Sequence, residues 1–377
     1  MEKQNSYSPG LEGVIAGRTG ICNVDSEHSQ LLYRGYSVED LARDSNFEEV
    51  AYLLIKGSLP KRSELTDFTK ILKDEREIPK KLLKMFSKFP SRANPMDMLR
   101  AGVSFLALFD SEAGDNSHEA NVRKAMRLTA KIPTIIASSF RISNGKKTIE
   151  PNPEYSHARN FLNMVNGTPP DDFVEKVFDV SLILYAEHDY NASSFSTRVT
   201  ASTLADLYSA VIAGICTLKG SLHGGANEKA MEMLLAIGEE DKVEDWIREA
   251  LLRKERIMGF GHRVYKKGDP RAIILKELCM ELGGKKNAPK WYRMSHKIEE
   301  IMEKEKGLYP NVDFYAGSVY YMMGIPIELY TPIFTLSRIT GWSAHIIEQH
   351  DNNRLIRPMS EYIGPPIQRY IPIDERP

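Results

Sequence analysis

Three short stretches of this chain set a proton-handling side chain among small neighbours. They are Ser221-Leu222-His223-Gly224-Gly225-Ala226-Asn227, Gly259-Phe260-Gly261-His262-Arg263-Val264-Tyr265 and Asn311-Val312-Asp313-Phe314-Tyr315-Ala316-Gly317, and the second runs on to Lys267-Gly268-Asp269-Pro270-Arg271. Two imidazoles and a carboxylate suit a reaction that takes a proton from carbon while shielding the charge that develops on oxygen. The glycines let backbone or ligand approach each group closely. Every motif also has a plainer reading. A histidine beside glycines is often a capping or hydrogen-bonded structural residue, and Asn-Val-Asp is a natural helix N-cap box. The two readings of Asp313 are compatible, because a capping position presents its carboxylate at a helix end facing a cleft.

The elements that must position these groups are bounded by composition. A chain of 377 residues with 42% apolar content exceeds the usual size of a single core, so two domains are expected. The net charge of −1 gives no general attraction to nucleic acid or membrane, so an anionic ligand needs a local cluster of Arg and Lys. Cys22, Cys216 and Cys279 are far apart and odd in number, which fits a reducing cytoplasm rather than a disulfide framework or zinc knuckle. The start of the chain has no apolar signal core and no stretch reaches membrane-spanning length, so a soluble, untargeted, cytoplasmic protein is expected.

Periodicity predicts a mainly α protein. Glycines at 10, 13, 17 and 20 followed by Leu31-Leu32-Tyr33-Arg34-Gly35-Tyr36 read as short strands and turns. From Ser37, apolar residues at helical spacing predict a helix through Leu54, closed by Gly57 and Pro60. Further helices are predicted from Asn94-Pro95 to about Asp110, from Asn116 with a kink at Pro133, from Asp171 toward His188, and as one long element from Thr197 to Leu218. Short helices follow over 227–237, 243–256, 271–282 and 291–306, and Thr331-Pro332 opens a long one toward His350. The expected division is a large domain over 1–220, an inserted small domain over 221–320 and a return to the large domain over 321–377, with the motifs at the cleft. No internal repeat or low-complexity tract is visible.

Several apparent motifs fail on spacing. His345 and His350 are five apart on one helix rather than the four that a zinc helix needs, so no metal is expected. Asn144-Gly145-Lys146-Lys147-Thr148 has Phe140 where a phosphate loop needs its first glycine, and Lys147 where it needs Ser or Thr. Gly341-Trp342-Ser343-Ala344-His345 lacks the final glycine of a nucleophile elbow. Gly259-Phe260-Gly261 has no third glycine for a dinucleotide fingerprint. The Asn166-Gly167-Thr168 and Asn191-Ala192-Ser193 glycan signatures are meaningless without secretion.

In wording and order, the three motifs resemble those of citrate synthases, and the resemblance runs from about Gly10 to the C-terminus. It implies the two-domain, mainly helical citrate synthase fold in its short-chain dimeric form. It further implies that Asp313 removes a methyl proton from acetyl-CoA, His223 hydrogen-bonds the thioester oxygen and His262 polarises the ketone of oxaloacetate. By the same resemblance His188, Arg271, Arg338 and Arg357 hold oxaloacetate, with Arg357 reaching the partner subunit's site. Residues 189–191 offer less glycine after His188 than long-chain members have. Gly259, Gly261, Arg263, Lys266 and Lys267 fall where CoA would bind, and no cofactor is implied beyond the CoA thioester substrate. 2-Methylcitrate synthase, using propionyl-CoA, shares these motifs. A non-catalytic helical binding protein is the alternative from another class, opposed by the intact trio and three arginines.

Overall fold

The structure, a computed structural model, describes residues 7–262, 264–265 and 268–377. A three-stranded antiparallel meander comes first: Cys22–Asp25, Gln30–Tyr33 and Tyr36–Ser37, with Cys22 opposite Tyr33 and Leu32 opposite Ser37. Beyond it, the regular structure of the described residues is helical, with sixteen α-helices. The mainly α expectation holds.

The helix Tyr330–Asp351 is the axis of the first group. Every residue from Tyr330 to Ile347 is buried, so the helix is enclosed on all sides along nearly all of its length. A helix buried all round belongs in the middle of a bundle. Packed on it are Phe47–Lys56, His118–Ser143, Asp172–Tyr185, Ala192–Ala201 and Leu207–Leu218. Gly214 allows the last of these to sit against Trp342, whose ring a Cβ at 214 would approach to 3.1 Å. Truncating a fully buried Trp such as this one costs about 3–5 kcal/mol.

Ala226–Ile237, Val243–Leu252, Pro270–Lys285, Lys290–Lys306 and Val312–Met322 form a second group, packed mainly on one another. Val312–Met322 is its centre, and Gly317 lets it cross Ala226–Ile237 so closely that a Cβ would lie 3.0 Å from the Asn227 carbonyl oxygen. This group meets the first where Val312–Met322 touches Asp172–Tyr185 and Ala226–Ile237 touches Tyr330–Asp351. The three motifs lie along that join.

Three helix expectations need correction. The element expected from Thr197 to Leu218 is two helices, because Leu204 takes a left-handed φ of +63° and Asp206 starts a new helix by accepting from the Ser209 N–H. The one expected from Ser37 is likewise Val38–Asp44 and Phe47–Lys56, with Asn46 capping the second through the Glu49 N–H. The helix expected from Asn116 starts at His118 with Ser117 as its cap, and it continues through Pro133 as a single element to Ser143.

Candidate active site

Gly259 and Gly261 take φ values of +84° and +78°, in the left-handed region that glycine enters without strain. Their strip runs antiparallel to 309–311. The Gly261 N–H donates to the Tyr309 carbonyl and the Asn311 N–H to the Gly259 carbonyl, each over 2.9 Å, and Phe260 pairs with Pro310. The Asn311 side chain completes the join: Nδ2 donates to the Gly261 carbonyl at 3.0 Å, and Oδ1 accepts from the Asp313 N–H at 3.1 Å to cap Val312–Met322. The second and third motifs are thereby bonded into one piece.

His262 follows this strip. Its Nδ1 accepts from the Val264 and Tyr265 N–H groups at 3.0 and 3.1 Å. A backbone N–H only donates, so neutral His262 carries its proton on Nε2. His223 has the opposite arrangement. Its Nε2 accepts from the Ser193 N–H at 3.2 Å, with Ser193 Oγ 2.8 Å away, which puts the proton of the neutral ring on Nδ1. Burial, reinforced by the Arg338 cation, lowers the His223 pKa to about 4, so the ring is neutral at pH 7. Gly224 fits this loop against the preceding helix, where a Cβ would lie 2.3 Å from the Leu218 carbonyl oxygen.

Asp313 stands in the first turn of its helix, nearly all of it buried, and its Oδ1 accepts from the Tyr185 hydroxyl at 2.7 Å. Burial raises its pKa to about 6, outweighing the lowering by Tyr185 and the Arg271 charge. A carboxyl tuned toward neutrality is a stronger base than an exposed one and still ionised at pH 7.

Buried cations surround these groups. Arg271 is held side-on by Asp269, Nε to Oδ1 at 3.0 Å and Nη2 to Oδ2 at 2.8 Å, and the pair's charge keeps its guanidinium firmly ionised against burial. Arg338 donates from Nε to the Tyr185 carbonyl at 2.7 Å and lies 4.6 Å from the Phe334 ring centroid. That ring also faces Tyr185 at 4.6 Å and His223 at 6.1 Å. His188, packed 5.0 Å from the His262 ring, is kept neutral by burial and the Arg271 charge, and its buried Nε2 has no hydrogen-bond partner among the described residues. Asp189, where extra glycine was missing, adopts φ +51°, a conformation Asp tolerates. His188, His223, His262, Arg271, Arg338 and Asp313 thus share one region.

Arg357 does not join them within a single chain. It is exposed, lining a groove of about 640 Å³ with Arg18, Arg198, Glu348 and Arg354. A different groove, of about 670 Å³, lies beside His262 and Gly261 and carries Lys254, Arg256 and Lys306. Arg263, Lys266 and Lys267, expected at the CoA site, lie outside the described residues. Sequence reasoning missed Lys254, Arg256 and Lys306, which the fold gathers from the turn after Val243–Leu252 and the end of Lys290–Lys306. It also missed Tyr185 and the orienting role of Asp269, although Asp269 lay in view beside Pro270-Arg271. His345 and His350 face different partners, Glu187 Oε1 at 3.0 Å and Asn121 Nδ2 at 2.9 Å. Among the described residues no group of three or more His, Cys, Asp or Glu is arranged to hold a metal ion.

A mainly helical chain that gathers one buried carboxylate, neutral imidazoles of defined tautomer and buried guanidinium groups has the equipment of an acid–base enzyme acting on carboxylate substrates. Comparison with known proteins gives the family. The model of the citrate synthase C-terminal domain matches residues 10–359. Citrate synthase 2 of Bacillus subtilis is 47% identical over 368 residues, covering 97% of this chain and 98% of the relative. A citrate/2-methylcitrate synthase of the same organism is 46% identical, covering 98% and 99%. The citrate synthase of the archaeon Thermoplasma acidophilum, solved as a ternary complex with carboxymethyl coenzyme A and oxaloacetate, superposes with a TM-score of 0.92 at 34% identity over 98% of this chain and all of that one. The chain belongs to the citrate synthase family.

Proposed function

We propose that this protein is a citrate synthase, condensing acetyl-CoA with oxaloacetate and hydrolysing citryl-CoA to citrate and CoA. The observation that carries the reading is the pair of neutral imidazoles with opposite protonated nitrogens, His223 at Nδ1 and His262 at Nε2, beside a buried carboxylate. Asp313 takes the methyl proton of acetyl-CoA as the His223 Nδ1–H donates to the thioester oxygen, where charge accumulates. The His262 Nε2–H donates to the ketone oxygen of oxaloacetate, making its carbon electrophilic toward the enol. The new carbon–carbon bond gives citryl-CoA, and water then cleaves the thioester to release citrate and CoA.

Arg271, Arg338 and His188 hold the oxaloacetate carboxylates in this reading, since guanidinium forks match carboxylate geometry. The strip at Gly259 and Gly261 receives CoA, whose close approach the missing side chains allow. Lys254, Arg256 and Lys306, together with Arg263, Lys266 and Lys267, supply charge for its phosphates. No cofactor is required. The working form is a homodimer in which Arg357 completes the partner's site. Supporting this, residues 352–377 form an extended arm whose Met359, Tyr362, Ile363, Ile367 and Tyr370 are bare to solvent in a lone chain. The near-neutral charge and the lack of any helix in the described residues long and apolar enough to cross a membrane support a cytoplasmic setting.

The test is thiol release from acetyl-CoA with and without oxaloacetate. No oxaloacetate-dependent release would overturn the reading. Propionyl-CoA belongs in the same assay, because relatives bear both names and one methylene is worth only about 1–3 kcal/mol in a pocket.

A further inference from the structure

Glu187 and His345 form a buried pair outside the proton-handling trio, Nε2 to Oε1 at 3.0 Å with neither side chain exposed. His345 Nδ1 faces Arg198 Nη1 at 3.2 Å, and a guanidinium only donates. The imidazole therefore accepts at Nδ1 and donates from Nε2, which makes Glu187 Oε1 the acceptor. The other Glu187 oxygen, Oε2, is buried without a hydrogen-bond partner among the described residues. It lies against Tyr330–Asp351 at Gly341, where a Cβ would stand 2.0 Å from it. One turn earlier on that helix is Arg338.

The three buried arginines of this region are balanced differently. Asp269 grips Arg271 side-on, and Glu348 binds Arg198 at 2.6 Å. Arg338 has no ion-pair partner among the described residues, yet of the charges around it Glu187 is the one that most favours its ionised form. A carboxylate bonded to a guanidinium occupies its N–H groups. One that stands off balances the charge and leaves those groups open.

We propose that Glu187, oriented by His345 and given room by Gly341, is the stand-off counter-charge of Arg338, keeping the guanidinium balanced in the empty pocket while its Nη groups stay open to a ligand carboxylate. Glu187 is a positioning residue, and the inference rests on the reading of this pocket as the oxaloacetate site. Its consequence has a definite sign. The same negative charge opposes entry of a dianion, so removing it destabilises the empty protein and favours the liganded one.

The experiment is calorimetric titration with oxaloacetate, and melting with and without it, for wild type, Glu187→Gln and Glu187→Asp. Glu187→Gln should melt lower when empty and bind oxaloacetate about three- to tenfold more tightly, a cautious figure for losing one like charge across a partly screened pocket. Its oxaloacetate-induced rise in Tm should exceed that of wild type, and kcat and KM should fall together. Glu187→Asp, which keeps the charge, should bind like wild type. Unchanged or weaker binding by folded Glu187→Gln overturns the counter-charge. A wild type that binds no oxaloacetate overturns the site reading and this inference with it. Should Glu187→Gln fold only with ligand, recovery in oxaloacetate but not in sodium chloride of equal ionic strength supports the proposal. Failure in both, with Glu187→Asp folded, assigns Glu187 to structure alone and overturns it.

Discussion

The Tyr185 hydroxyl, at the end of Asp172–Tyr185, donates over 2.7 Å to Asp313 Oδ1, at the start of Val312–Met322. One helix belongs to each packing group, so the bond crosses the join and stabilises the carboxylate form of Asp313. Tyr185→Phe removes it. The acid limb of kcat/KM for acetyl-CoA, expected near pH 6 from Asp313, should move to higher pH in this variant. A pH–rate profile with an unmoved limb would count against Asp313 as the titrating base.

Asp313→Asn should keep the fold and lose turnover by about 10²–10⁴-fold, because an amide cannot take the proton. Its stability should change in the opposite direction. The folded pKa of about 6 lies above the ordinary 3.8, so the native protein holds this proton where the unfolded chain has released it. Stability from Asp313 is therefore present below pH 3.8 and lost as pH rises through 6. The cost at pH 7 is about 3 kcal/mol, at 1.36 kcal/mol per tenfold change in proton affinity. Urea unfolding should find Asp313→Asn more stable than wild type at pH 7 and the two alike near pH 4.

Gly259→Ala tests the bonded strip. A Cβ there would lie 2.8 Å from the Phe314 Cβ and 2.9 Å from its Cα, on a backbone at φ +84°. Strain and overpacking together should cost about 2–4 kcal/mol, with turnover falling because Phe314 adjoins Asp313. Gly57→Ala is the control: its φ is +92° but nothing lies within 4 Å, so it should cost only about 1–2 kcal/mol and spare turnover. Equal losses in the two variants would show that the close contact with Phe314 is unimportant.

Asp313→Ala and Arg357→Ala, each inactive alone, should complement when subunits exchange. If Arg357 acts across the dimer, every hybrid has one doubly damaged site and one intact site, and random mixing restores about a quarter of all sites. Mixtures with proven hybrids and no recovered activity exclude the shared site.

Much of this was legible in the chain. The motifs carry their own glycines and caps, and Tyr330–Asp351 is long and strongly apolar enough to be read directly. The break near Leu204 was not, because an apolar residue at φ +63° carries no turn chemistry and keeps the helical spacing intact. Tyr185 gives no signal in the sequence, since only the fold brings Asp313 to its hydroxyl. The partnership of Glu187 with His345 was hidden for the same reason, their contact being set by the packing of the loop after Asp172–Tyr185 on the distant helix Tyr330–Asp351.

The bonded strips 259–261 and 309–311 also bear on how such a chain can vary. Their hydrogen bonds fix His262 relative to Asp313 locally, whatever the length of chain looped out between them. The outer turns of Pro270–Lys285 and Lys290–Lys306 are therefore free to gain or lose residues in evolution without resetting the distance between Asp313 and His262. A deletion within either strip would slip the pairing and separate the two groups at once.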